Sequence, residues 1–454
     1  MTVSSLASEK PNDISLSLYR AIWRWHFFAG LLVIPFMLNL AITGSLYLFK
    51  DEIDNTAFAY RNVVQPRGEA LAPSLLTDDA KAAIPGAKVL RYRAPTVPTQ
   101  SARVTVGTNT GNVLVFVDPY SGSVLGKVGE KEEFNWVVKK IHSLDYFGFA
   151  FNRIVEAVGG LALILVVTGF YLWWPRKQTG GVISVRGTPD KRVFWRDVHA
   201  VTGATAGALI FFLAITGMPW SGYWGDKVNV TLSSAGLGYP AQLWDDVPVS
   251  KIPTKDVLTH AGWTVESAPV PTSTPSDTAQ PIGLDQVVAS ANAAGMAPGF
   301  EVSLPSGKKG VYTAAIFPDD IAKQRTIHFD QYTGKPLVDL KFADYGAGAR
   351  AIEFGIGVHQ GEYLGLANQI VMLMTCLAIV LTSLSAVVMW WRRRPSGRLG
   401  VPPMPSQKSV FVTLKLIILG FGILFPLTGF AILAMLVLDQ LVTRIPSPLK
   451  RVFS

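Results

Sequence analysis

Long apolar runs separated by polar segments dominate the chain. Five runs, about Phe27–Phe49, Ile154–Trp174, Thr205–Trp224, Leu366–Trp391 and Leu416–Leu438, are long and apolar enough to cross a bilayer core of roughly 30 Å. A buried helix of a soluble core would be shorter and would carry a polar stripe. The segment before Phe27 is polar and lacks a short apolar stretch ending in small residues, so the first run reads as a retained helix and not as a cleaved signal. Three intervening segments are short (1–25, 175–199 and 392–409) and two are long (50–153 and 225–365). In each long segment a helix-like run (Leu76–Ile84, Leu284–Ala294) precedes strand-like runs near Val89 and Phe300, and then Val113–Val117 and Thr326–Phe329. Each long segment therefore reads as a small α+β domain. The second holds an extra stretch rich in Pro, Ser and Thr, roughly 231–280, which reads as a loop or linker.

Charge gives the orientation. The short segments hold 14 Lys and Arg against 4 Asp and Glu, while the long segments hold 23 against 26. Excess basic residues in short loops mark the cytoplasmic side. The N-terminus is then inside, and both long segments and the C-terminus are outside. The net charge of +9 is thus a topology signal, since the large soluble segments are slightly acidic and offer no basic surface for nucleic acid. Composition agrees: 49% of the chain is hydrophobic and only 16% charged, against about 25% charged in average soluble domains. The single cysteine, Cys376, excludes an internal disulfide, a Cys-based zinc site, an iron–sulfur cluster and a CxxCH haem attachment. The expected organisation is an α-helical integral membrane protein with two outer α+β domains. It has a cytoplasmic N-terminus (1–25), spans at 26–49, 142–174, 199–224, 359–391 and 410–438, outer domains at 50–141 and 225–358, cytoplasmic loops at 175–198 and 392–409, and an outer tail at 439–454.

The sequence repeats itself. LAITG occurs at Leu40–Gly44 and again at Leu213–Gly217, an offset of 173 that also carries His26 onto His199 and Gly30 onto Gly203. Trp173-Trp174 and Trp390-Trp391 differ by 217, the offset that carries His142 onto His359, Asp145 onto Glu362, Tyr146 onto Tyr363 and Gly148 onto Gly365. Asp118-Pro-Tyr-Ser-Gly122 matches Asp330-Gln-Tyr-Thr-Gly334, each reading as a hairpin turn in which Gly supplies a positive φ. The chain is thus helix, outer domain, helix, repeated, with a fifth helix added.

Several of these pieces resemble the PepSY-associated transmembrane family, in particular its iron-regulated siderophore reductases. They are Trp25-His26 with Gly30, Ile141-His142-Ser143-Leu144, the Thr168-Gly169 to Trp173-Trp174-Pro175-Arg176 ending, Trp195-Arg196-Asp197-Val198-His199, and Gly357-Val358-His359-Gln360-Gly361. The resemblance covers roughly residues 15–395. It implies two outer PepSY-like domains, haem b in the helices, and in some members reduction of ferric siderophores in the periplasm. A bacterial inner-membrane location follows.

The histidines fit that expectation. Four of the six lie at ends of apolar runs in two repeat-related pairs. His26 and His199 begin outward-running helices and fall near the cytoplasmic face; His142 and His359 precede inward-running helices and fall near the outer face. Ionisable groups in membranes are costly and mark function. Two His per face are too few for a bare zinc or copper ion, whereas a haem brings four nitrogens and needs two axial ligands. The reading is two haem b, one held by His26 and His199 and one by His142 and His359. Gly30 and Gly203, one turn after their His, either make room for a macrocycle or pack helices closely. Asp145 and Glu362, three residues on and within helical reach, could ligate a metal; they are read either as acceptors for hydrogen bonds from the outer His or as a solvated helix end. Tyr146 and Tyr363, four residues on, either line a route to the acceptor or belong to an interfacial aromatic belt. His260 and His328 lack repeat partners and read as ordinary soluble-domain histidines. No nucleotide-binding, nucleophile-elbow or metalloprotease motif occurs. The cytoplasmic loops cannot fold into a flavin or nicotinamide domain, so the electron donor is a quinol, a reduced flavin or another protein. The expected function is transmembrane electron transfer ending on a ferric siderophore. The alternatives are a haem or iron–siderophore transporter, or a regulatory or structural envelope protein.

Overall fold

The computed structural model describes residues 11–176, 180–275, 280–396, 398–402 and 419–444. The first ten residues, the beginning of the fifth apolar run and the expected tail from 445 onward lie outside the described residues. The chain divides into two units, one of Met1–Ser45, Ile141–Gly225 and Ile370–Ser454, the other of Leu46–Lys140 and Asp226–Gln369.

The first unit is helical. Among the described residues four helices are long and apolar enough to span a membrane: Leu16–Leu48, Phe149–Trp173, Arg192–Trp220 and Leu366–Arg393. Their outward side chains, among them Leu32, Ile42, Val167, Phe211, Met374 and Leu384, are exposed and apolar. Such a surface is stable in lipid and not in water. Inward, Ala29 and Val33 of the first span pack with Val158 and Leu161 of the second.

The fifth run departs from the expected single span. Residues 419–424 are helical, the helix breaks at Phe425, and a new one runs Pro426–Arg444. Proline lacks the N–H that would continue the ladder. A Cβ on Gly429 would lie 2.7 Å from the Cα of Gly422, whereas residues seven apart in a straight helix are about 10 Å apart. The chain therefore bends back sharply here. The Pro426–Arg444 helix docks on the second span, where a Cβ at Gly160 would overlap Thr428 Oγ1.

The hydropathy pattern also hides an acid, Glu156, inside the second run. It is 1% exposed, and its Oε2 accepts the backbone N–H groups of Tyr223 (3.0 Å) and Trp224 (3.2 Å). These donors open the helix Trp224–Ser234, where a carboxylate satisfies orphan N–H groups and suits the helix dipole.

In the second unit the two expected domains form one sheet. The first half supplies β1 (Lys88–Arg93), β2 (Ala102–Thr108), β3 (Gly111–Val117) and β4 (Val124–Gly129). A small two-stranded sheet follows, β5 (Val249–Pro253) and β6 (Pro269–Pro271). The second half supplies β7 (Glu301–Ser303), β8 (Val311–Ile316), β9 (Arg325–Asp330) and β10 (Pro336–Lys341). The eight main strands run β10-β9-β8-β7-β1-β2-β3-β4. At the seam β1 and β7 are antiparallel, with Tyr92 opposite Val302. Separately, each four-stranded half would leave an unpaired edge there, and pairing removes both edges. Helices Pro73–Ala82 and Leu284–Ala293 place Leu76, Ala80, Val287 and Ala291 in one core with Val104, Phe300 and Phe329.

The two Asp-to-Gly turns are built alike. Gly122 N–H donates to Asp118 O and Gly334 N–H to Asp330 O, both at 2.9 Å, and the glycines have φ of 73° and 68°. The 231–280 stretch is not a linker. Trp244, Val265 and Ala268 are buried against Val338 and Leu340 of β10, and Trp263 is 1% exposed. Burying Trp244 against β10 residues ties this stretch into the sheet unit.

Candidate functional site

Within the helical unit His26 and His199 face each other. Their ring centroids are 6.3 Å apart and the rings are nearly perpendicular, at 87°. Both Nδ1 atoms are occupied. His26 Nδ1 lies 2.9 Å from Thr168 Oγ1, and that hydroxyl donates its own proton to Ile164 O at 2.7 Å. The hydroxyl is left to accept, so Nδ1 is the protonated nitrogen. His199 Nδ1 lies 3.0 Å from Thr382 O; a carbonyl only accepts, so here too Nδ1 carries the proton. Each imidazole therefore keeps its Nε2 lone pair for a metal.

These residues fit an axial pair. Two metal–imidazole bonds of about 2 Å, plus the two ring radii, separate the ring centres by roughly 6 Å. Room for a macrocycle is present as well. Among the described residues, a Cβ on Gly203 would meet nothing within 4 Å, and one on Gly30 only Leu165 at 3.9 Å. Among the described residues neither glycine makes a close helix contact, which favours the roomy reading of the two. Nearby charges are engaged in the protein: Asp197, fully buried two residues before His199, accepts from Arg186 Nε at 2.8 Å and from Arg196, and Arg24 donates to Pro402 O. Among the described residues no three His, Cys, Asp or Glu side chains are grouped to hold a bare metal ion.

The outer histidines sit differently from expectation. His142 ends the helix Phe134–His142, and the second span starts only at Phe149. His359 ends the helix Ala347–His359, and the fourth span starts at Leu366. Leu144 (φ 55°) and Gly148 (105°) break the first junction, and Gly361 (79°) and Gly365 (60°) the second. Asp145 and Glu362 are therefore not three residues along the same helix as their His, nor Tyr146 and Tyr363 four. Glu362 pairs with Lys50. Tyr146 is 55% exposed and edges Phe147, while Tyr363 packs on Phe354 with centroids 4.9 Å apart. His142 belongs to the helical unit, where its Nδ1 lies 3.0 Å from Thr43 Oγ1; His359 belongs to the sheet unit.

The sheet unit has a cavity of about 350 Å³ lined by Lys50, Asp51, Glu52, Asp319, Gln360 and Glu362, among others. Burial raises the Glu362 carboxyl, against the pull of Lys50. Burial also raises Asp319. Of the remaining histidines, His328 is a core residue bonded to Thr313 Oγ1 at 2.9 Å and held near 3 by burial. His260 Nδ1 lies 3.2 Å from Lys139 Nζ, and that ammonium is the main reason its pKa falls well below the usual value.

Apolar periodicity does not single out Thr43, Thr168 or Glu156. For the threonines the signal was nevertheless there, in LAITG and in the Thr168-Gly169 pair; for Glu156 it was a lone acid within an apolar run.

A family model described as the PepSY-associated TM region matches residues 23–393. No curated protein matches the chain.

Proposed function

Because the chain belongs to the PepSY-associated TM family, a family of membrane proteins, we propose that it is a di-haem electron conduit that carries electrons from the cytoplasmic side to a ferric siderophore outside. The observation that carries this is the pair of imidazoles, His26 and His199, set 6.3 Å apart with both Nδ1 atoms engaged and both Nε2 atoms left to bind. Haem held by two imidazoles supplies one-electron exchange with no open coordination position, which suits transfer over oxygen chemistry. His26 and His199 would hold one haem; His142, in the helical unit, is a proposed ligand of the second. The protein binds the groups, fixes the imidazole tautomers and keeps water from the site with the apolar spans.

The acceptor receives one electron per ferric ion. Fe(II) is held less tightly by hard oxygen ligands, so iron is released. Each electron comes from a quinol, a reduced flavin or a partner reductase. The cavity beside Gln360 and Glu362 directly follows His359 in the chain, and Tyr146 and Tyr363 are exposed enough to meet an acceptor. With Asp51, Glu52, Asp319 and Glu362 against Lys50, that cavity favours a neutral or cationic chelate over an anionic one.

The test is a reduced-minus-oxidised spectrum of the purified protein with a haem count, followed by rapid mixing of the reduced protein with ferric chelates of different charge. Two haems per chain are expected, His26→Ala and His199→Ala each removing the same one. A haem-free protein, or a haem protein that no ferric chelate oxidises, would refute the corresponding half of the reading.

A further inference from the structure

We propose that Thr168 and Thr43 are positioning residues that set the tautomer, orientation and donor strength of His26 and His142; this rests on the haem reading above. The two sites use the same device. Thr43 Oγ1 lies 3.0 Å from His142 Nδ1 and donates to Asn39 O at 2.6 Å, as Thr168 Oγ1 lies 2.9 Å from His26 Nδ1 and donates to Ile164 O at 2.7 Å. In both, the hydroxyl proton is committed one turn back along its own helix. The oxygen can then only accept, so His26 must present its Nε2 lone pair; at His142 the Leu40 carbonyl accepts as well as the Thr43 hydroxyl.

The glycine after each threonine completes the arrangement. A Cβ on Gly44 would lie 3.4 Å from His142 Cε1, and one on Gly169 3.4 Å from His26 Cε1. Each Thr-Gly pair thus offers an acceptor to the ring nitrogen and a bare backbone to the neighbouring ring carbon. The fourth span varies the theme. Its residue at Thr168 plus 217 is Ser385, and at Gly169 plus 217 is Ala386, which carries a Cβ. There Ser385 Oγ donates to Thr382 O at 2.9 Å, and the same carbonyl takes His199 Nδ1 at 3.0 Å. One haem would thus have a hydroxyl-backed and a carbonyl-backed imidazole. An acceptor on Nδ1–H raises the basicity of the ligating nitrogen and so favours the ferric form.

The experiment compares Thr168→Val, Thr43→Val and Thr168→Ser with wild type by haem content, potentiometric titration and the low-spin ferric resonance signals. Loss of such a partner typically costs about 10–100-fold in metal affinity. A tenfold loss confined to the ferric form raises a one-electron potential by about 59 mV. Thr168→Val is expected to raise the potential and shift the resonance of the haem that His26→Ala removes, Thr43→Val those of the other, and Thr168→Ser to return wild-type values. Full haem content with unmoved potentials and signals in both valine variants overturns the proposal alone. Wild-type protein without haem overturns it together with the reading it rests on. Should Thr168→Val fail to fold, Thr43→Val and Thr168→Ser decide the matter.

Discussion

Gly203 gives the sharpest test of whether the space beside His199 is used. It lies inside the helix Arg192–Gly217, and among the described residues no heavy atom lies within 4 Å of where a Cβ would sit. In the haem-free protein Gly203→Ala therefore adds a methyl group without a clash. It also replaces the least favourable ordinary helix residue with the most favourable, a gain of about 1 kcal/mol. That is a factor of about five in the folded-to-unfolded ratio. In the loaded protein the same methyl group enters space assigned to the macrocycle, and overpacking costs about 1–3 kcal/mol. The sign of the effect should then reverse, with stability gained without haem and lost with it, alongside reduced haem retention. Thermal unfolding in detergent, with and without haem and with haem content measured in parallel, reads both. Equal stabilisation in both states would show that nothing occupies the space beside Gly203, and the reasoning from the two glycines would fail.

Three further outcomes are expected. Gly160→Ala forces a Cβ onto Thr428 and should loosen the Pro426–Arg444 helix, seen as faster proteolysis near it, at a cost of about 1–3 kcal/mol; adding Thr428→Gly should recover most of the loss, and additive losses would refute the contact. Burial raises Glu266 from 4.5 to about 7, against the nearby Lys255, so the folded state keeps a proton that the unfolded state gives up. Stability should fall as pH rises from about 4.5 to about 7, by about 3 kcal/mol in all, and change no further from this group above that; Glu266→Gln should flatten the profile in unfolding measurements between pH 5 and 8. Because the chain bends back near Phe425, a topology reporter after Arg444 should read the side opposite to one after Lys50. The same side for both would restore the single-span expectation.

How much could be read from the sequence follows from what each pattern reports. Hydropathy reports burial in lipid, so the four spans were legible, and so was the peculiarity of histidines within or beside apolar runs, because a polar group in an apolar run is costly wherever the run folds. The alternation of short basic and long neutral segments placed His26 and His199 on one face, and the folded helices bring their rings to 6.3 Å. The turns at Asp118–Gly122 and Asp330–Gly334 were equally legible, since a positive φ is a local demand that glycine meets. Tertiary structure alone decided the rest. Two strand edges pair through backbone N–H and C=O groups that every residue carries, so nothing in β1 or β7 announces that two expected domains share one sheet. A count of residues cannot tell whether a helix continues, and the breaks at Leu144 and Gly361 removed the register that linked Asp145, Glu362 and the tyrosines to their His. Glu362 found Lys50, 312 residues away, because burial makes a carboxylate seek whichever cation the fold brings near. Which oxygen takes each imidazole proton, Thr168 and Thr43 hydroxyls or the Thr382 carbonyl, depends on how neighbouring helices rotate and slide against one another, and side-chain packing across the bundle sets that.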